Sequence, residues 1–280
     1  MTDRANVIFI PHGGGPLPLL DEAGNADLNR FLRDIPSTIT KPDAIIVFSA
    51  HWEEAVVSVT ASAAPPMLFD YYGFPPETYQ YEYPAPGHPQ LAGRIHALLQ
   101  QAGIEARLDP ERGFDHGLFI PLMLMYPEAD IPCIQVSLAA SLDAGEHLRI
   151  GKSLAALKSE NLLFLGSGFS FHNMDEFMRK RDDSIDPRNQ AFEDWLTQTC
   201  CAPGLTEQQR EARLENWDAA PHARYCHPRE EHLLPLQVCY GVGQRAARQV
   251  FQGSSGGFLT SGFHWAQGRF LLRDRRGLHR

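Results

Sequence analysis

The sequence predicts a single α/β domain over residues 1–280, with a central, mostly parallel or mixed sheet and helices on both faces. Three observations predict it. Short apolar runs rich in β-branched residues recur at 7–10, 44–50, 131–137 and 161–165. Continuous rather than alternating hydrophobicity is the pattern of strands covered on both faces. Stretches with apolar residues at helical spacing lie between these runs, at 27–35, 90–102 and 144–158. No Ser/Gly linker or low-complexity tract divides the 280 residues, a length ample for one large core.

Taken in order, the run at 7–10 leads into Pro11-His12-Gly13-Gly14-Gly15-Pro16. The glycines let the backbone pass close to a ligand. The spacing matches neither a phosphate loop nor a dinucleotide fingerprint. Leu28, Phe31, Leu32 and Ile35 form one helical face. Lys41-Pro42-Asp43 then breaks the chain before the strand at 44–50, which His51 and Trp52 follow. Residues 55–60 read as a further strand. The stretch 64–89 is irregular, with many prolines and the rings of Phe69, Tyr71, Tyr72, Phe74, Tyr79, Tyr81 and Tyr83. Its length marks it as functional or disordered, and its aromatic content opposes disorder. It reads either as a loop packed by its own rings or as a wall over a pocket for a flat ring.

The helix at 90–102 turns Leu91, Ile95, Leu98 and Leu99 inward. Gly113-Phe114-Asp115-His116-Gly117 precedes an apolar segment at 118–126, with Pro121 near its start, where a helix tolerates proline best. The strand at 161–165 is followed by Gly166-Ser167-Gly168-Phe169-Ser170-Phe171-His172-Asn173. Residues 175–186 read as a charged, solvated connection, 188–201 and 207–217 as surface helices, and 219–228 as a loop. A helix starts in 229–236 and runs toward Arg248. Residues 257–265 and 269–272 read as a closing hairpin around Ala266-Gln267-Gly268.

The formal net charge of −9 argues against nucleic acid or a membrane surface as partner, since either needs a basic patch. The five cysteines are odd in number and lack a C-x-x-C, as expected of reduced thiols in a cytoplasmic protein. The apolar run behind the polar N-terminus is too short for a signal sequence. No stretch approaches membrane-spanning length.

Five histidines share a pattern. His12, His51 and His172 each lie in a loop after a strand run. His116 and His232 stand at helix starts, each behind an acidic residue and ahead of a Pro-Leu pair. Parallel strands bring their carboxyl ends together, so residues far apart in sequence converge there. Neutral imidazole suits iron, zinc, copper and nickel. A single one of these histidines is equally well explained as structural, but the set points to a metal at the strand carboxyl ends. His222, Cys226 and His227 lack the second ligand pair of a zinc finger and read as loop residues. His88, His96, His147, His264 and His279 carry weaker signals.

Several motifs together resemble the class III extradiol ring-cleavage dioxygenases, in the LigB-like branch of 4,5-DOPA extradiol dioxygenases. They are Pro11-His12-Gly13, Ser49-Ala50-His51-Trp52, Tyr72-Gly73-Phe74-Pro75, Tyr83-Pro84-Ala85-Pro86-Gly87, Asp115-His116-Gly117, Gly166-Ser167-Gly168 with His172-Asn173, and His227-Pro228 with Glu231-His232-Leu233-Leu234-Pro235-Leu236. The segment 175–216 carries no matching motif. The resemblance implies a non-haem Fe(II) enzyme that opens a small catechol beside its two hydroxyls. Both atoms of O2 enter the product, a ring-opened semialdehyde. Position by position, it implies His12, His51 and His232 as metal ligands, His172 as acid/base and His116 as a second active-site histidine. Other class III enzymes use two histidines and a carboxylate. A neutral third ligand, His232, makes the site more compatible with Zn(II), and His172 is then a candidate fourth ligand. The implied substrate is DOPA-like or a phenylpropanoid, with Arg229 available for a carboxylate. Two rivals use the same histidines: a zinc hydrolase, which lacks a nucleophile elbow or H-E-x-x-H here, and a non-catalytic metal or small-ligand binding protein.

Overall fold

Apolar runs without polar alternation need cover on both sides, and the fold supplies it. A computed structural model describes residues 3–266 apart from positions 22, 180, 181 and 183. Its strands are β1 (Asn6–Pro11), β2 (Ala44–Glu54), β3 (Val57–Thr60), β4 (Ala106–Asp109), β5 (Cys133–Ala139), β6 (Leu162–Gly168), β7 (Arg248–Ser255) and β8 (Phe258–Trp265). They form one sheet in the order β4-β3-β5-β2-β6-β1-β8-β7. The four central strands, β5-β2-β6-β1, are mutually parallel. Antiparallel pairings of β3 with β5 and of β8 with β1 and β7 make the whole sheet mixed.

Side chains alternate across the sheet, as the pleat requires. Ala44, Ile46 and Phe48 of β2 enter one core, and Ile45 and Val47 enter the other. The first core is closed by the helices Pro89–Gln101, Ala144–Ser153, Pro187–Cys201 and Leu234–Gly243, through residues such as Leu91, Leu148, Phe192 and Leu236. The second is closed by Ala26–Asp34 and His116–Met125, with Tyr71 and Tyr83 of the aromatic stretch. Each such side chain contributes roughly 1.5–3 kcal/mol on burial. The helices Ala144–Ser153 and Leu234–Gly243 cross at glycines. A Cβ on Gly151 would stand 2.1 Å from the Val238 carbonyl oxygen, so only glycine permits the contact.

Several elements differ from the sequence expectations. β2 continues through His51 to Glu54, because its pairing with β5 resumes after a register shift between Phe48 and Glu53. β4 was not foreseen: Ala-Arg-Leu-Asp is short, and half of it is charged. The helix expected to run toward Arg248 ends at Gly243, where Gln244 turns the chain with a left-handed φ of 49°. Residues from Arg248 onward form β7 instead. The closing hairpin therefore pairs β7 with β8; residues 269–272, expected as its second strand, and His279 lie outside the described residues. The charged connection contains the short helix Met174–Arg179. Within the expected loop, Ala223–Cys226 makes a helical turn. Pro187–Cys201 is not a surface helix: Asn189, Phe192, Glu193, Leu196, Thr199 and Cys200 are buried along it. Polar residues among these masked the inward face. No helix among the described residues is long and apolar enough to cross a membrane.

Candidate metal centre

β2, β6 and β1 are adjacent and parallel, so their carboxyl ends deliver three histidines to one place. His12 follows β1 directly, His51 lies among the last residues of β2, and His172 lies in the loop after β6. His116 opens the helix His116–Met125, and His232 precedes Leu234–Gly243. Two backbone contacts fix this junction. A Cβ on Gly168 would lie 2.1 Å from the His232 carbonyl oxygen. That oxygen accepts a 2.8 Å hydrogen bond from Phe169 N.

The five rings converge. Ring centroids of His12 lie 4.8 Å from His51, 5.4 Å from His116 and 5.4 Å from His232. His51 is 3.9 Å from His116 and 5.0 Å from His232. His172 stacks on His232 at 3.4 Å. Ligand atoms of His12, His51 and His116 all lie within 4.8 Å of one another, and those of His172, Glu231 and His232 form a second such group.

Hydrogen bonds fix which nitrogen faces inward. Ser167 Oγ donates its one proton to the Gly117 carbonyl, so it accepts from His12 Nδ1 at 3.0 Å. His116 Nδ1 donates to Asp70 Oδ1 at 2.8 Å, and His116 N donates to the same oxygen at 2.9 Å. His232 Nδ1 donates to Glu231 Oε1 at 2.8 Å, and His172 Nδ1 lies 3.2 Å from that oxygen. Asp70 also lies 3.6 Å from His51 Nδ1. A carboxylate or hydroxyl on one ring nitrogen, leaving the other bare, is the arrangement of metal-ligating histidines. Nε2 of His12 and Nε2 of His51 face each other at 3.0 Å. Two nitrogens each bound at 2.0–2.1 Å to a common ion, at right angles, stand about 3.0 Å apart. The donor set therefore fits a divalent metal.

Electrostatics agree. Burial, reinforced by the neighbouring histidines, drives the pKa of His12 and of His51 well below the usual histidine value. Burial likewise brings His232 down to about 4, against the opposing pull of Glu231. Neutral imidazole is the ligating form. Burial would raise Glu231, but its bonds to His172 and His232 hold it well below the usual carboxylate range. Beneath the histidines, Asp115 is fully buried. It accepts from Ser49 Oγ at 2.8 Å, from Arg112 Nη2 at 3.2 Å and from Gln135 Nε2. Burial pushes its pKa up.

The structure thus brings together all five sequence-predicted histidines and adds Asp70, Glu231 and Ser167. Glu231 and Ser167 lay inside noticed motifs. Asp70 lies in the aromatic stretch, where no spacing marked it. His227 stays outside the cluster, with Nε2 on the Ser170 carbonyl at 2.8 Å. Arg229 is not a free cation: Glu53 grips it through both guanidinium Nη atoms. A cleft of about 450 Å³ between Ala26–Asp34 and β7 holds none of the five histidines; the chemistry of the groups marks the site.

A mixed α/β sheet with carboxylate-held histidines gathered at its parallel strand ends defines a metal-dependent enzyme class. The chain belongs to the family described as the catalytic LigB subunit of aromatic ring-opening dioxygenase, matched over residues 7–260. It is a class III extradiol enzyme of the aromatic ring-opening type. Similar proteins include dioxygenase tasH of Hapsidospora irregularis, 41% identical over 85% of this chain and 78% of that protein. The 4,5-DOPA dioxygenase extradiol of Beta vulgaris is 38% identical over 91% and 93%. A crystal structure of an uncharacterized protein from Escherichia coli K12 superposes with a TM-score of 0.76 at 31% identity, covering 93% of this chain and 99% of that one.

Proposed function

We propose that residues 1–280 form one catalytic domain in which His12, His51 and His232 hold a non-haem Fe(II) and open the ring of a small catechol with O2. The observation that carries this is the convergence of five histidines, four of which commit an outward nitrogen to Ser167, Asp70 or Glu231. When bound, the iron supplies the oxygen chemistry and acidifies a catechol hydroxyl. His172, with Nδ1 turned to Glu231, presents Nε2 as the acid/base. That atom takes the hydroxyl proton and later returns it to the opened product. His116 is the second active-site histidine and is fixed by Asp70 through both its backbone and its ring. Zn(II) suits the same all-neutral ligand set, with His172 as the added ligand.

The substrate reading is a single-ring catechol, DOPA-like or a phenylpropanoid, opened to a semialdehyde. The names of relatives support it, as does the aromatic surround. The Tyr71 ring lies 5.8 Å from His116, and the Phe169 ring lies 5.1 Å from His12. Such flat walls with few polar groups suit a ring. A cytoplasmic location is consistent with five free cysteines.

The test is anaerobic Fe(II) loading, then O2 uptake and visible absorbance with DOPA, caffeate, dihydroxyphenylacetate and protocatechuate. A yellow product with stoichiometric O2 uptake is expected. Silence across the panel, with iron confirmed in the protein, would refute the small-catechol reading.

A further inference from the structure

Glu53 lies two residues beyond His51 on β2, and Arg229 lies three residues before His232. Their side chains meet beside Glu231. Arg229 Nη1 donates to Glu53 Oε1 at 2.6 Å, and Nη2 donates to Oε2. Arg229 Nη1 also stands 3.3 Å from Glu231 Oε2, and the other oxygen of Glu231 holds His232 and contacts His172. One carboxylate thus separates this pair from the candidate acid/base. Both partners reach solvent, Arg229 at 53% and Glu53 at 25% side-chain exposure. The pair is bidentate, so a ligand that opens it must replace a charge on both of its halves.

We propose that the Glu53–Arg229 pair selects catechols by the charge of the arm on the ring, opening to place an ammonium on Glu53 and a carboxylate on Arg229. The inference rests on the catechol reading above. At rest the two charges cancel. An arm with only a carboxylate takes Arg229 but leaves Glu53 uncompensated beside Glu231. An arm with only an ammonium takes Glu53 and leaves Arg229 without it. A zwitterionic amino-acid arm replaces both halves of the pair at once. Arg112, the other arginine close to the cluster, is committed to Asp115 and to the Trp52 ring face. A purely structural tie between β2 and the segment ahead of His232 has no such dependence on sign.

The experiment measures anaerobic binding to Zn(II)-loaded protein by calorimetry. Its ligands are L-DOPA, dopamine and 3,4-dihydroxyphenylpropionate, which share one ring and differ in arm charge. Wild type is expected to bind DOPA most tightly. Glu53→Gln should weaken DOPA and dopamine roughly tenfold or more, the loss of a charge-assisted bond, and tighten the propionate. Arg229→Gln should weaken DOPA and the propionate and tighten dopamine. Equal weakening of all three ligands, or no change, overturns the proposal. Should either variant misfold, the wild-type ranking decides: DOPA binding no tighter than the better singly charged catechol overturns it as well. Oxygen uptake by the Fe(II) form is run in parallel. Binding in the expected order without turnover refutes the small-catechol substrate reading and leaves the charge selection standing.

Discussion

Replacing Ser167 with alanine isolates the part the protein plays in presenting a ligand. Ser167 is fully buried and takes the Nδ1 proton of His12, a ring only 1% exposed. In Ser167→Ala that N–H faces no acceptor. A buried neutral donor without a partner costs roughly 1–3 kcal/mol, or about tenfold per 1.4 kcal/mol in an equilibrium constant. The metal-free protein has an escape. His12 can move its proton to Nε2 and donate to His51 Nε2, already 3.0 Å away. The metal-bound protein has none, because Nε2 must then carry the lone pair. Metal affinity should therefore fall roughly 10- to 100-fold, the range for outer partners of ligating histidines. Stability of the metal-free chain should fall by only about 1 kcal/mol. Competition against a chelator under anaerobic conditions gives the first number, and urea unfolding of the metal-free protein gives the second. An affinity within about twofold of wild type would refute both the tautomer assignment and His12 as a ligand.

Other outcomes follow from the same geometry. His172→Ala should keep most of its metal and lose roughly 10²–10⁴-fold in turnover; metal loss as severe as in His51→Ala, read by metal analysis, would make His172 chiefly a ligand. Gly168→Ala should destabilise the fold by roughly 1–3 kcal/mol and release metal, since its Cβ meets the His232 carbonyl oxygen at 2.1 Å; a wild-type melting curve and metal content would contradict that contact. Burial holds His227 neutral with its pKa pushed down to about 3, and His264 with its pKa near 4. An unfolded histidine titrates near 6.5, so the unfolded chain takes up protons first as pH falls, and stability present above that value is lost on the way down to the folded values. At pH 5 each contributes about 2 kcal/mol of loss relative to pH 7.5. His264→Gln should shrink the difference between urea unfolding at the two pH values by about that amount, and an unchanged difference would refute it.

The central strands were legible because their apolar runs leave no other arrangement. The five histidines were legible because parallel strand ends must converge. What stayed hidden depends on contacts the chain order does not encode. Asp70 meets His116 from 46 residues away, within a stretch lacking any periodicity. Glu53 meets Arg229 across 176 residues, so the pairing of Arg229 with a carboxylate of the chain itself left no sign in the sequence. Pro187–Cys201 read as a surface helix because Asn189, Glu193 and Thr199 are polar yet buried. Glu193 sits in the core with its pKa raised by burial to about 7 and its Oε2 accepting from Ser261 Oγ, a pattern only tertiary structure reveals. β4 owes its existence to pairing with β3 rather than to its own sequence.

The histidines are borrowed from five separate segments, and this has a consequence for how the protein is assembled. The His12–Ser167 contact alone spans 155 residues. No fragment shorter than the span from His12 to His232 contains the centre. An ion bound there acts as a clasp on several long loops at once, and closing long loops restricts the unfolded chain much as a cross-link does. Metal captured only by the finished arrangement adds its binding free energy to folding. Loss of a segment that supplies a ligand, by nicking or local opening, then releases the ion. Retained metal becomes a readout of the integrity of the whole molecule.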